Sequence, residues 1–139
     1  MEKADYEALA AFRAAIRRFL QFSEAAAKAA GLSPPQHQLM LAVKGTPGRD
    51  WASVGELADR LGARQTAVTN LVGRMEAAGL VARRPDPRDG RGVAVHLTPR
   101  GDDILARLSQ QHMAELTRMP GFAFGAGGGE APPEDAERG

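Results

Sequence analysis

The run from Ser53 to Gly101 constrains this chain most, because helical and strand-like hydrophobic periods follow one another there with almost no linker between them. Ser53-Val54-Gly55-Glu56 has the form of a capping box, in which serine and glutamate each satisfy a free amide at a helix start. Leu57, Ala58 and Leu61 then fall on one helical face, and Gly62 turns the chain. From Gln65 to Ala78 the apolar residues Val68, Leu71, Val72 and Met75 recur at helical spacing. The opposite face carries Gln65, Thr66, Thr69, Asn70, Gly73 and Arg74, and Gly79 closes the helix. Leu80 to Arg84 and Val93 to Leu97 read as short strands around the turn Asp86-Pro87-Arg88-Asp89-Gly90-Arg91.

The flanks read as longer helices. Between about residues 4 and 30, Leu9, Phe12, Ile16, Phe19, Ser23 and Ala26 make a heptad-like seam. Tyr6, Leu20 and Phe22 widen the apolar face, which implies packing within the subunit and against a second copy. Gly31 ends this helix, and Ser33-Pro34 starts the next as N-cap and first turn. Gly45-Thr46-Pro47-Gly48 breaks that second helix, and Trp51 with Ala52 forms a brief strand. Thr98-Pro99 opens a last helix with Ile104, Leu105, Leu108, Met113 and Leu116 on its apolar face. From Pro120 onward Gly, Pro and acidic residues dominate without an apolar period, so residues 120–139 are expected to be disordered.

The 139 residues are enough for one domain with a core and too few for two ordinary ones. The absence of cysteine rules out disulfides, thiolate zinc sites and thiol-based oxidant sensing. No signal peptide or long uncharged apolar run is visible, which makes the cytoplasm the default location. The net charge of +1 conceals an asymmetry, since between Arg64 and Arg100 seven arginines face three acids, and the balance reverses after residue 100. By charge alone this segment is either a polyanion-binding surface or a solvated hairpin. A helix pair followed by a basic ribbon is, however, the order of a winged helix-turn-helix, whose helix and ribbon reach two grooves of DNA. The expected fold class is therefore mainly α with a small β-wing, a winged helix-turn-helix domain plus N- and C-terminal dimerisation helices.

Particular motifs carry a closer likeness. Val54-Gly55-Glu56-Leu57-Ala58-Asp59-Arg60-Leu61, Ala67-Val68-Thr69-Asn70-Leu71-Val72 and Glu76-Ala77-Ala78-Gly79-Leu80-Val81 are followed by the wing sequence Asp86 to Arg91, then Leu97-Thr98 and Gly101. In that order and at those spacings, residues 4–119 resemble the MarR (multiple antibiotic resistance regulator) family of dimeric winged-helix transcription factors. The resemblance implies a unit spanning 1–119, with a DNA-binding core at about 33–98 and dimerisation helices at about 4–30 and 98–119. It makes Gln65–Ala78 the recognition helix, with Arg64, Gln65, Thr66, Thr69, Asn70 and Arg74 toward the major groove or its phosphates. It sends the wing, with Arg84, Arg88 and Arg91, toward the backbone and minor groove, Asp89 orienting Arg91 by a charge-assisted hydrogen bond. Two departures stand out. Arg64 replaces the usual Ser or Thr cap of the recognition helix, and Pro120 with its glycines ends the helical pattern where relatives continue into a further dimerising helix.

The implied function is a sequence-specific transcriptional regulator, a ligand-responsive repressor that binds an inverted-repeat operator as a homodimer. The alternative is a winged-helix protein-interaction module without DNA binding. Family members often bind small aromatic or phenolic acids, and Arg13, Arg17, His37 and Trp51 are the candidates to line such a site. Their plainer readings are a helix-surface histidine for His37 and a core plug for Trp51. His37, His96 and His112 do not assemble an evident metal-ligand set in the sequence, and no cofactor is expected. No phosphate-binding glycine loop or Ser/His/Asp set points to an enzyme.

Overall fold

The computed structural model of the chain describes residues 1–119, so the expectation for residues 120–139 concerns a part outside the described residues. In chain order the elements are α1 (Lys3–Ala29), α2 (Pro34–Lys44), β1 (Trp51–Ser53), α3 (Val54–Leu61), α4 (Gln65–Ala77), β2 (Val81–Pro85), β3 (Val93–Leu97) and α5 (Pro99–Leu116). The strands form one antiparallel sheet in the order β1-β3-β2, with Trp51 opposite His96 and Arg84 opposite Ala94. This is the mainly helical winged helix-turn-helix that the sequence predicts.

Local chemistry sets the helix starts. Ser33, Ser53 and Thr98 each sit in extended backbone and accept from the amide three residues on, Gln36, Glu56 and Gly101 respectively. Gln36 and Glu56 return the bond to the amides of Ser33 and Ser53 and complete capping boxes. Gly62 and Gly79 take φ of +62° and +77°, which lets α3 and α4 end in sharp turns. Arg64 caps α4 with no side-chain hydrogen bond, as its lack of an acceptor requires.

One core joins all the layers. Leu39, Met40 and Val43 of α2 meet Leu57, Val68, Val72 and Met75 of the helix-turn-helix, Val81 and Val95 of the ribbon, and Leu105 and Leu108 of α5. Gly101 lies at the tightest joint, where an added Cβ would stand 2.2 Å from the Leu80 carbonyl oxygen. Around it Thr98 donates to the Gly79 and Leu80 carbonyls and Arg100 to that of Ala78, fastening α5 to the end of α4.

The single seam expected on α1 is divided between two surroundings. Phe19, Phe22, Ser23 and Ala26 are partly buried and Ala27 fully so, and both Phe19 and Phe22 meet His112 of α5 edge-on. The N-terminal side is bare: Tyr6, Leu9, Phe12, Ile16 and Leu20 are between 39 and 60% exposed. Such a row of uncovered apolar side chains exceeds what a solvent-facing helix normally carries. Among the described residues, no helix is long and apolar enough to cross a membrane.

Candidate nucleic-acid interface

Helix α4 divides its residues cleanly. Val68, Leu71, Val72 and Met75 are buried, and Gln65, Thr66, Thr69, Asn70 and Arg74 are exposed, as is Arg64 before them. The core thus uses up the apolar face, and the other face presents amides, hydroxyls and a guanidinium, the groups that hydrogen-bond base edges and phosphates. Glu76, further along the helix, is engaged by Arg83 of β2, which pulls its carboxyl below the usual range and ties the ribbon to the helix.

The wing loop sorts its arginines unequally. The Arg88 fork grips Asp86, with Nε 3.0 Å from Oδ1 and Nη2 2.8 Å from Oδ2. Its remaining nitrogen reaches Glu56 Oε2 at the start of α3, 3.3 Å away. Arg88 therefore folds back onto the scaffold, whereas the family resemblance implies that it points outward to the minor groove. These bonds, Arg88's side chain first and its amide second, hold the nearly buried Asp86 carboxyl down at about 2. Arg49, then the Ser53 amide, does the same for Glu56, also about 2. Arg91 and Arg84 are exposed and have no side-chain acceptor among the described residues. Asp89 accepts from the backbone amides of Arg91 and Gly92, so it shapes the turn, and the expected bond to the Arg91 guanidinium is replaced by this turn chemistry.

A recognition-type helix with a free polar face, beside a ribbon capped by an outward arginine, agrees with what comparison finds. The MarR family model matches residues 30–92. Residues 30–92 carry a MarR-family winged helix. A putative transcriptional regulatory protein for the hcr operon of Thauera aromatica is 28% identical over 103 residues, 74% of this chain and 60% of that protein. The uncharacterized HTH-type transcriptional regulator YcgE of Bacillus subtilis is 34% identical over 110 residues, 77% of this chain and 62% of its own length. The chain thus spans about three-fifths of the length of these two curated relatives. A crystal structure of a MarR variant from E. coli in complex with operator DNA shares the fold, with a TM-score of 0.61 and 20% identity, covering 79% of this chain and 80% of that one.

The four residues expected to line an effector site of the MarR type are not brought together within the chain. Arg13 and Arg17 border an open groove along α1, together with Ile16, Leu20, Gln21 and Glu24. His37 is buried, not at the helix surface, because α2 is wrapped by α1, α3, α5 and the sheet. Its ring centroid lies 4.9 Å from that of His112, whose nitrogens meet Ser23 Oγ at 2.8 Å and the Leu108 carbonyl at 2.6 Å. Burial first, and the neighbouring His112 second, lower the His37 pKa. Trp51 is half-buried and not a core plug: it lies over His96, with the Arg49 and Arg88 guanidinium carbons 4.1 and 5.1 Å from its ring centroid. Sequence reasoning missed Arg49 and Glu56 as site residues. The only hint was the doubling of Glu56 as capping residue and acid in a basic region.

Proposed function

We propose that this chain is a sequence-specific, DNA-binding transcriptional regulator that works as a homodimer. The observation that carries the reading is the exposed polar face of α4, whose apolar face the core consumes, followed by a wing whose Arg91 is exposed and has no side-chain acceptor among the described residues. In this reading Gln65, Thr66, Thr69 and Asn70 read the major groove, Arg64 and Arg74 meet its edges or phosphates, and Arg84 and Arg91 follow the backbone into the minor groove. The bare row from Tyr6 to Leu20 supports a second copy packed along α1, with residues 1–119 as the working unit. Two-fold symmetry then calls for an inverted repeat with half-sites about 34–36 Å apart. A dimer lying across a promoter excludes other proteins from it, which makes repression the default action, and an aromatic or phenolic acid near α1 would relieve it. The protein would act in the compartment that holds the DNA.

The test is fluorescence anisotropy with duplex DNA from the region upstream of the gene, titrated with salt and with candidate acids. Affinity should fall linearly on a log-log plot, by about 0.9 per phosphate neutralised. Arg91→Ala should lower affinity about tenfold without a change in the circular dichroism spectrum. Failure of the wild-type protein to bind any such duplex at low salt, together with capture of a protein partner, would favour the interaction module instead.

A further inference from the structure

The loop from Asp86 to Gly92 has one polar side-chain contact with the helix-turn-helix among the described residues, and Arg88 makes it. Glu56 Oε2 accepts from both Arg49 Nη2, at 2.5 Å, and Arg88 Nη1, at 3.3 Å. Its other oxygen holds the Ser53 amide at 2.8 Å, so the carboxylate is fixed to the first turn of α3. Both guanidinium groups lie near the Trp51 ring, which the β1–β3 pairing sets against His96. At the far end the Arg88 fork is locked on Asp86, whose backbone closes the loop through Gly90 and Gly92.

We propose that Arg88, Glu56, Trp51 and Arg49 form a clasp that fixes the wing loop against the start of α3 and so aims Arg91, with Arg88 acting as a positioning residue and not as a DNA contact. The inference rests on the DNA-binding reading above. Its physical basis is that bidentate arginine–carboxylate pairs fix geometry as well as charge, and that a guanidinium near an indole adds cation–π attraction. A hairpin tip with no such tether samples many angles, and a groove contact at its end then bears the ordering cost on binding.

Glu56→Gln separates the clasp from the obvious alternative by the sign of its effect. Glutamine still serves the capping box, so α3 keeps its start. If Arg88 were itself a DNA contact held in reserve, losing an acid and freeing two arginines would tighten binding. The clasp predicts the reverse, a loss of about tenfold, the scale of one hydrogen bond to a charged group. Trp51→Ala should weaken binding similarly, and Trp51→Phe, which keeps a ring face, should restore most of it.

Trp51 is the only tryptophan in the chain, so its emission reports the clasp directly without DNA. In the full-length protein, Arg88→Ala should increase quenching of Trp51 by acrylamide while leaving the far-ultraviolet circular dichroism unchanged. Wild-type binding with Glu56→Gln as tight or tighter, or with Trp51 emission and quenching indifferent to Arg88→Ala, overturns the clasp alone. A wild-type protein that binds no upstream duplex overturns the DNA-binding reading, and with it the purpose assigned to the clasp.

Discussion

Two glycine-to-alanine changes in helices of this chain should alter stability in opposite directions, and the structure supplies the magnitudes. Alanine is favoured over glycine in a helix interior by about 1 kcal/mol. Gly73, inside α4, has nothing within 4 Å of an added Cβ, so Gly73→Ala should realise most of that gain. Gly101, in the first turn of α5, is buried with the Leu80 carbonyl oxygen 2.2 Å from the same position. Ordinary carbon–oxygen contacts begin near about 3.3 Å. The helix must therefore retreat by roughly 1 Å, and the obstacle is backbone, which cannot rotate aside.

That retreat strains the bonds from Thr98 and Arg100 to the carbonyls of Ala78, Gly79 and Leu80. Overpacking of this kind costs about 1–3 kcal/mol, and loosening one of the three hydrogen bonds adds about 1 kcal/mol. Set against the helix preference, Gly101→Ala should destabilise the protein by about 2 kcal/mol. Urea unfolding followed by circular dichroism, at one fixed protein concentration because an assembling chain is concentration-dependent, reads this directly. With a slope of about 2 kcal/mol per molar urea, the Gly101→Ala midpoint should fall by about 1 M and that of Gly73→Ala rise by about 0.3–0.5 M. A Gly101→Ala midpoint equal to or above that of the wild type would show that α5 does not sit against Leu80 as described.

Other expectations follow from the caps and the histidines. Arg64→Ser supplies the side-chain acceptor that α4 lacks, so thermal unfolding should show a gain of about 1 kcal/mol, while the salt dependence of DNA binding should become shallower by about 0.9 if Arg64 meets a phosphate. His37 and His96 both have pKa values lowered in the folded state, by burial first and then by His112 and Arg84 respectively. The unfolded chain therefore binds more protons just below pH 6.5, and stability should fall as pH drops from about 7 through 6. His37→Gln should flatten that slope, whereas Glu56 and Asp86, held at about 2, act only at lower pH. A melting temperature independent of pH between 7.5 and 5.5 would contradict the packing of His37 against His112. Phe12→Glu should break the proposed dimer without unfolding the subunit; an unchanged mass by light scattering would place the contact elsewhere.

What the sequence conveyed was local chemistry repeated at the right spacing. Ser33, Ser53 and Thr98 announce three helix starts because a cap needs only its own residue and the next few. The division of α4 into a buried and an exposed face follows from period alone. His37 escaped because five elements surround α2, and the polarity of one residue says nothing of how many neighbours it will meet. The α1 seam was visible, yet its division into a packed end and a bare end depends on where α5 lies, which no spacing within α1 encodes. Arg88 and Arg91 are the sharpest case: the same residue type in the same turn, told apart because Asp86 and a glutamate 32 positions away both hold Arg88, while Asp89 takes only backbone amides.

That last distinction bears on how a nearly neutral protein concentrates positive potential. Within Arg64–Arg100, Arg83 is spent on Glu76, Arg88 on Asp86 and Glu56, and Arg100 on the Ala78 carbonyl. Those three stiffen the joints between ribbon, helices and wing, and the charges of Arg83 and Arg88 are offset by their carboxylate partners. Arg64, Arg74, Arg84 and Arg91 are exposed and have no side-chain acceptor among the described residues. They lie before α4, along it, on β2 and at the wing tip, so the unbalanced charge is spread over the elements proposed to face DNA. A paired arginine can meet a phosphate only by giving up its protein partner, and a free one meets it at little cost. Spending some arginines as braces therefore makes the remaining ones better placed, and a substitution that frees a brace should add charge while losing aim.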